Sequence, residues 1–370
     1  MLALHQSFLG LFSIASIATP VAQETLMIVI CHLSIVNCKY AAYGFLLLWR
    51  ALPLTNPGSL CETPSVLDIC LLGTGGTLPL VNRWLTSLMV RYQGHSVLID
   101  CGEGTQIAAQ RAGVSLKPVD KILITHLHAD HISGLPGLLL TMGNMGREED
   151  LSIIGPVGTE RVVNALRTIA PNLPFDIRVS ELETPEETMF FLDCDIRAFQ
   201  VQHGVPCYGY SFILPRAGKF DARRAQEQGI PMEFWGRLQK KGETIEHEGR
   251  IFTPDMVLGP ARRGLKLTYC TDTRPVPAIA AAAADSDLFI CEGMYGEDEM
   301  LPKARENRHM LFSEAARLAA DAGGVKELWL THFSPSLPNP KAYRDVARAI
   351  FPNTQIPRDG WEKTLRFEEE

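Results

Sequence analysis

The sequence predicts an α/β protein built around a metal site, and three observations carry that expectation. From Val66 onward, short apolar runs that read as strands alternate with segments of helical spacing. The 370 residues are 46% apolar and 21% charged, enough to bury a sizeable core and far from the composition of a disordered chain. The segment Thr125-His126-Leu127-His128-Ala129-Asp130-His131 packs three histidines and an aspartate into six positions, directly after the apolar run Lys121-Ile122-Leu123-Ile124. Four donors crowded at the end of a buried strand point to a metal rather than to a polar loop.

Leu67–Leu72, Ser87–Tyr92, Ser96–Asp100, Lys121–Thr125 and Leu151–Ile154 read as strands. So do Ile196–Val201, Gly209–Leu214, Leu265–Tyr269, Leu288–Cys291 and Glu327–Thr331. Helices are expected at Thr105–Ala112, Leu135–Met142, Thr159–Ile169, Ser313–Asp321 and Lys341–Ile350, with Pro136 in a first turn and Ser313 as an N-cap. Pro254 and the pair Gly259-Pro260 mark loops. Glycines 73, 75 and 76 fit neither a dinucleotide fingerprint nor a P-loop, and read as a tight turn beneath the site.

Residues 1–65 differ from the rest, with four charged residues, Glu24, Lys39, Arg50 and Glu62. Three readings compete. A signal peptide would use Phe8 to Ala18 as its apolar core, but no Lys or Arg precedes it. A membrane helix across Met27–Trp49 is interrupted by His32, Asn37 and Lys39. The favoured reading is an apolar extension outside the functional protein, whose domain spans residues 66–370 with an insertion near residues 216–266. No membrane partner is expected for residues 66–370.

A net charge of −7 argues against a general polyanion-coating protein. Nine cysteines without a C-x-x-C pair read as reduced, buried thiols of a cytoplasmic protein. A dinuclear site needs seven or so converging donors. His126, His128, Asp130 and His131 supply four. His203, Asp272 and His332 each lie just past an apolar strand and are candidates for the remainder.

These residues resemble the metallo-β-lactamase superfamily and, within it, the tRNA 3′-processing endonucleases of the ribonuclease Z family. The resemblance spans nearly all of residues 66–370. It rests on Leu71-Leu72-Gly73-Thr74-Gly75-Gly76-Thr77, on Asp100-Cys101-Gly102-Glu103-Gly104-Thr105, on the histidine-rich segment, on Tyr269-Cys270-Thr271-Asp272-Thr273-Arg274-Pro275 and on Thr331-His332-Phe333-Ser334. Arg308-His309-Met310 occupies the place of a short histidine motif. Cys291-Glu292-Gly293 stands where the family has His-Glu-Ala-Thr, keeping only the glutamate.

The resemblance implies an αβ/βα four-layer sandwich with two Zn2+ per subunit, Mn2+ being the other candidate. It assigns His126, His128 and His203 to one ion, Asp130, His131 and His332 to the other, and Asp272 as the bridge. Asp100 would support the site from behind. Asp130 would hold the nucleophile, and His309, oriented by Glu292, would protonate the leaving oxygen. The implied substrate is a tRNA precursor, cut 3′ of the discriminator base. The implied assembly is a homodimer in which one subunit's arm serves its partner's site.

Residues 216–266 hold eleven Lys or Arg against seven Asp or Glu, a local net of +4. Arg237, Lys240 and Lys241, with Phe234 and Trp235 read as exposed aromatics, are the substrate-binding candidates there. The family's Gly-Pro-rich arm tip is missing, which keeps a second reading open: hydrolysis of a small phosphate or sulfate ester on the same scaffold. A third, of another class, is a non-catalytic, metal-stabilised RNA-binding protein.

Overall fold

The computed structural model describes residues 66–240 and 242–368. The expectations for residues 1–65 and for Lys241 lie outside the described residues.

The chain runs β1 (Val66–Gly73), β2 (Ser87–Tyr92), β3 (His95–Ile99), α1 (Thr105–Arg111), β4 (Val119–Leu123), α2 (Ala129–Ile132), α3 (Leu135–Asn144), β5 (Leu151–Pro156), α4 (Thr159–Leu166) and β6 (Ile177–Leu182). It continues through β7 (Glu186–Phe191), β8 (Cys194–Val201), β9 (Cys207–Arg216), α5 (Ala222–Glu227), α6 (Met232–Lys240), β10 (Ile245–His247) and β11 (Arg250–Phe252). The last part is β12 (Arg262–Cys270), α7 (Pro277–Ala283), β13 (Leu288–Glu292), α8 (Leu301–Asn307), α9 (Phe312–Ala322), β14 (Leu328–Thr331), α10 (Arg344–Arg348), β15 (Thr354–Gln355) and β16 (Trp361–Arg366).

Two seven-stranded sheets result, in the orders β16-β1-β2-β3-β4-β5-β6 and β15-β14-β13-β12-β9-β8-β7. Both are mixed. β3 to β6 run parallel, as do β12 to β15, while the hairpin strands are antiparallel. Strands buried on both faces explain the continuous apolar runs of the sequence. On β1, Leu67, Ile69 and Leu71 enter the core between the sheets, with Tyr210, Phe212, Leu267 and Trp329 from the other side. Cys70 and Leu72 face the opposite way, into the layer of α1, α3 and α4. The outer face of the second sheet packs on α7, α9 and α10 through Phe289, Cys291, Ile279, Ala316 and Ala347. The four-layer αβ/βα sandwich follows.

The differences from the sequence reading have local causes. β6, β7 and β16 were not expected. They sit at sheet edges, where half the side chains stay in water and the apolar run breaks up. Residues expected as one helix over Lys341–Ile350 form a 3₁₀ turn, Pro340–Tyr343, followed by α10. Ser313 is not an N-cap. α9 starts one residue earlier with Leu311 at its cap, and the Leu311 N–H donates to Glu314 Oε2 at 3.0 Å, while Ser313 Oγ donates to Asp298 Oδ1. The six cysteines among the described residues are all free and buried. Among those residues no helix is long and apolar enough to cross a membrane.

The insertion between β9 and β12 has a small core of its own. Ala225, Ile230, Phe234, Leu238, Ile245, Phe252 and Val257 pack together, with Phe220 and Trp235 against them. This corrects the expectation of exposed aromatics. Phe234 is only 9% exposed, and Trp235 Nε1 donates to Ile230 O at 3.0 Å while its ring packs on Phe220. Phe234, sealed in that core, cannot stack on RNA. Much of the positive charge is also spent within the protein. Arg223 pairs with Glu227, Arg237 with Glu243 and Arg263 with Asp287, and Arg262 caps Ala217 O. Lys240 is exposed at the end of α6.

Candidate metal centre

Asp100, the seven ligand candidates and Glu292 lie at or just beyond the C-terminal end of a strand: Asp100 after β3, the histidine-rich segment after β4, His203 after β8, Asp272 after β12, Glu292 closing β13 and His332 after β14, while His309 comes from the turn between α8 and α9. The parallel strands of both sheets deliver their ends to one edge. Ligands gather at such edges in open α/β folds.

Three nitrogens meet first. His126 Nε2 lies 3.0 Å from His128 Nδ1, which lies 3.2 Å from His203 Nε2. A second group forms beside it. His131 Nε2 is 3.3 Å from His332 Nε2, and Asp130 Oδ2 is 3.6 and 3.4 Å from these two. Asp272 stands between the groups. Its Oδ1 is 3.2 Å from His131 Nε2 and 3.1 Å from His332 Nε2, and its Oδ2 is 3.7 Å from His126 Nε2 and 3.9 Å from His203 Nε2. The structure therefore brings all seven sequence-predicted ligands together.

The donor set fits divalent cations. Four ligands around a tetrahedral zinc, each at about 2.0–2.1 Å, lie about 3.3 Å from one another, which is the separation seen here. Three of the rings have their other nitrogen engaged, among them His126, whose Nδ1 meets Thr125 Oγ1 at 3.1 Å. His131 Nδ1 meets Asp100 Oδ2 at 2.8 Å, and His203 Nδ1 meets Arg308 O at 3.2 Å. With those protons donated outward, the inward Nε2 atoms carry lone pairs that face other lone pairs. A cation between them removes that repulsion.

Neighbouring donors hold the ligand Asp130 and the supporting Asp100. Thr77 N–H donates to Asp130 Oδ2 at 2.7 Å. Thr125 donates to Asp100 through its N–H (2.8 Å) and its hydroxyl. Burial works against ionisation of Asp130, but the hydrogen bond from His332 and the charges of His131 and His332 outweigh it and hold the carboxyl well below its usual range. His131 is 0% exposed. Burial opposes its charge, yet without a cation Asp272 and Asp100 push its pKa well above the ordinary imidazole value, favouring a proton on Nε2 that a bound metal would displace.

His309 and Glu292 stand together at the side of the cluster. His309 Nδ1 is 3.2 Å from Glu292 Oε2 and 3.9 Å from Asp272 Oδ2. Glu292, fully buried, also accepts the N–H groups of Thr273 and Met310. Burial lowers the His309 pKa, but the Glu292 carboxylate, with Asp272 and Asp130 behind it, brings it up to about 9. Cations would neutralise the two aspartates and leave Glu292 as the lasting cause. The segment is tied down by Arg274, whose guanidinium donates to His309 O and to both carboxylate oxygens of Glu314.

Arg274, Arg308 and Thr77 escaped the sequence reading. Thr77 acts through its main-chain N–H and Arg308 through its carbonyl oxygen as well as a guanidinium that donates to His203 O, and main-chain atoms leave no signature in residue type. Arg274 lies inside a quoted motif, but only the fold reveals Glu314 as its partner. The glycines do not form a nucleotide loop. A Cβ on Gly73 would lie 1.8 Å from Leu85 O, and one on Gly76 would lie 2.4 Å from the His332 ring. Arg237, Lys240, Phe234 and Trp235 all belong to the insertion and are not among the residues lining the cleft over the site.

Comparison with known proteins adds the following. Residues 67–166 match the family described as Anti-Pycsar protein Apyc1. The Ribonuclease Z of Agathobacter rectalis is 58% identical over 305 residues, covering 82% of this chain and 100% of that protein. The Ribonuclease Z of Lachnoclostridium phytofermentans is 56% identical over 303 residues, covering 82% of this chain and 99% of the relative. Among solved structures, human tRNase Z, short form, superposes with a TM-score of 0.59 at 24% identity, over 80% of this chain and 98% of that one. The metallo-β-lactamase fold protein YhfI of Bacillus subtilis gives 0.58 at 18% identity, over 81% and 99%. At such identities the two structures speak for the fold alone.

Proposed function

Since the chain belongs to the ribonuclease Z family, we propose that it is a metal-dependent endoribonuclease that removes 3′ trailers from tRNA precursors, cutting the phosphodiester after the discriminator base and leaving a 3′-hydroxyl on the tRNA. The observation that carries this reading is the convergence of two triads on the shared carboxylate of Asp272, with the His309–Glu292 pair alongside.

In this reading two Zn2+ ions are held, one by His126, His128 and His203 and the other by Asp130, His131 and His332, with Asp272 shared. When bound, such ions supply Lewis acidity at phosphoryl oxygens and make water acidic enough to ionise near neutral pH. The chain's own groups do the rest. Asp130, with Oδ2 fixed by Thr77 N–H, keeps Oδ1 to orient the attacking water and take its proton. Asp100 keeps the His131 proton on Nδ1, so that Nε2 faces the site as a lone pair. His309, with Nδ1 bound to Glu292, carries the proton of Nε2 to the leaving oxygen. The Glu292 carboxylate beside Nδ1 favours the protonated ring.

We further take the protein to act as a homodimer in the cytoplasm, where its RNA substrate is made. We also take residues 66–370 to suffice, because 305 residues of this chain match the whole of the Agathobacter protein. The test is cleavage of a 3′-extended tRNA by zinc- or manganese-loaded protein, with the cut mapped to the nucleotide and bis-p-nitrophenyl phosphate as the comparison. Cleavage after the discriminator base supports the proposal. Turnover of the small diester without RNA cleavage replaces it with a small-ester hydrolase. No turnover of either leaves a binding protein.

A further inference from the structure

The cleft over the metal-ligand cluster is a cavity of about 650 Å³, and the hydrolytic groups make up only part of its lining. The rest includes Met294, Tyr295, Lys303, Asn307, Ser334 and Ser336. α8 presents Lys303 and Asn307 there, one turn apart and so on one face. The helix is not free to drift. Ala304 is fully buried, and Met300 and Leu301 pack with Met294, Tyr295 and Leu311. Asn307 Nδ2 donates to the Tyr295 hydroxyl at 3.0 Å, and Lys303 Nζ lies over the Tyr295 ring, 5.6 Å from its centre. Tyr295, only 5% exposed, is a fixed platform for both.

Lys303 is the one Lys or Arg among the described residues that lines this cleft, and no carboxylate among them pairs with it. The nearby arginines are already committed: Arg274 to Glu314 and His309 O, Arg308 to His203 O at 2.7 Å. The acidic groups of the site are committed to the ligand cluster and to His309. A lysine left unpaired beside such a site is set for an anion that arrives with the substrate. An RNA strand carries one charge per nucleotide. With the scissile phosphate at the metal-ligand cluster, its neighbour would follow the same cleft, which Lys303 also lines.

We propose that Lys303, set by Tyr295 and Asn307, binds the backbone phosphate adjacent to the scissile one. The proposal rests on the reading of the protein as an RNA-cutting enzyme and names a contact that gives it a preference for a polynucleotide over a small diester.

The experiment compares wild-type, Lys303→Met and Lys303→Arg full-length, zinc-loaded proteins on a 3′-extended tRNA and on bis-p-nitrophenyl phosphate, over a range of salt. For Lys303→Met the RNA KM should rise roughly tenfold, the loss of one hydrogen bond to a charged group. The slope of log affinity against log salt should become shallower by about 0.7–0.9, one phosphate contact. Hydrolysis of bis-p-nitrophenyl phosphate, which has no second phosphate, should stay within about twofold, and Lys303→Arg should recover most of the RNA affinity. An unchanged salt slope overturns the assignment, and so does an equal loss on both substrates. Wild-type protein that hydrolyses the small diester but cuts no RNA sinks the underlying reading and this one together. Wild-type RNA cleavage with an unaffected Lys303→Met variant sinks this one alone.

Discussion

Replacing Asp100 by Asn should cost the site a cation, and the reason can be followed atom by atom. Asp100 is fully buried and offers two carboxylate oxygens to three donors: the Thr125 N–H at 2.8 Å, the Thr125 hydroxyl at 2.9–3.0 Å and His131 Nδ1 at 2.8 Å. An amide has one oxygen. If that oxygen stays with Thr125, the new NH2 confronts His131 Nδ1, and the imidazole proton must move to Nε2. There it points at His332 Nε2 and Asp272 Oδ1, where a metal needs a lone pair. If the amide turns over, the buried Thr125 N–H faces another donor, at about 1–3 kcal/mol. Backbone strain does not confuse the test, because Asn tolerates the left-handed conformation found here, φ 58°. Changes of this kind behind a metal ligand typically weaken binding 10–100-fold, about 1.4–2.7 kcal/mol. Competition with a chromogenic chelator measures the affinity, and thermal unfolding of the metal-free protein measures the structural part. An Asp100→Asn protein with metal affinity within about twofold of wild type would refute the assignment of His131 as a ligand positioned by Asp100.

Other substitutions separate the remaining parts. His309→Ala should slow single-turnover cleavage by about 10² or more while bound metal, assayed on the same sample, stays at the wild-type level. Gly76→Ala places a Cβ 2.4–2.7 Å from three atoms of the His332 ring, so the ring must shift. Metal content should fall and activity drop roughly 10²-fold, in line with a misplacement of about 1 Å; a fully metallated, fully active variant would show that His332 has slack. Phe234→Ala should destabilise the insertion by about 3–5 kcal/mol. Limited proteolysis should then cut within residues 216–266 while bis-p-nitrophenyl phosphate is still hydrolysed, since no group lining the cleft comes from that segment.

What could be read in the sequence depended on where each residue sits. The central strands of both sheets are largely buried on both faces, so the stretches Ile69–Leu72 of β1, Ile122–Leu123 of β4, Phe212–Leu214 of β9 and Leu288–Cys291 of β13 stand out as apolar runs. The ligands stand out because each follows such a run. Edge strands write a weaker pattern. β6 alternates as Ile177-Arg178-Val179-Ser180, with only its last residue fully buried, and resembles loop. The aromatics of the insertion were misread because neighbouring basic residues argued for a wet surface. A better signal was present: Ile230, Phe234 and Leu238 recur every four residues, the spacing of an apolar helix face. The contacts of Thr77 N–H and Arg308 O could not be read at all, because any residue type supplies those atoms.

The backbone shows what the site demands of the fold. Among the described residues, nine that are not glycine have φ between 48° and 68°, and five of them, Thr77, Asp100, Asp272, Arg308 and His332, touch the ligand cluster. Three of the others, Gln93, Leu192 and Glu248, turn hairpins, where a left-handed residue suits the twist of the flanking strands. At the five site positions no hairpin explains the conformation. Asp100, Asp272 and His332 lie within two residues of the ends of β3, β12 and β14, and each must leave its strand while keeping its side chain on the cluster. Glycine would relieve about 1–2 kcal/mol at each position, but it carries no carboxylate and no imidazole. The strain is therefore held where the side chain cannot be given up. The buried strands and sheet-flanking helices must over-determine these ends, and that is why the ligands grow from the strands of a four-layer core while the insertion, with its separate small core, contributes none of them.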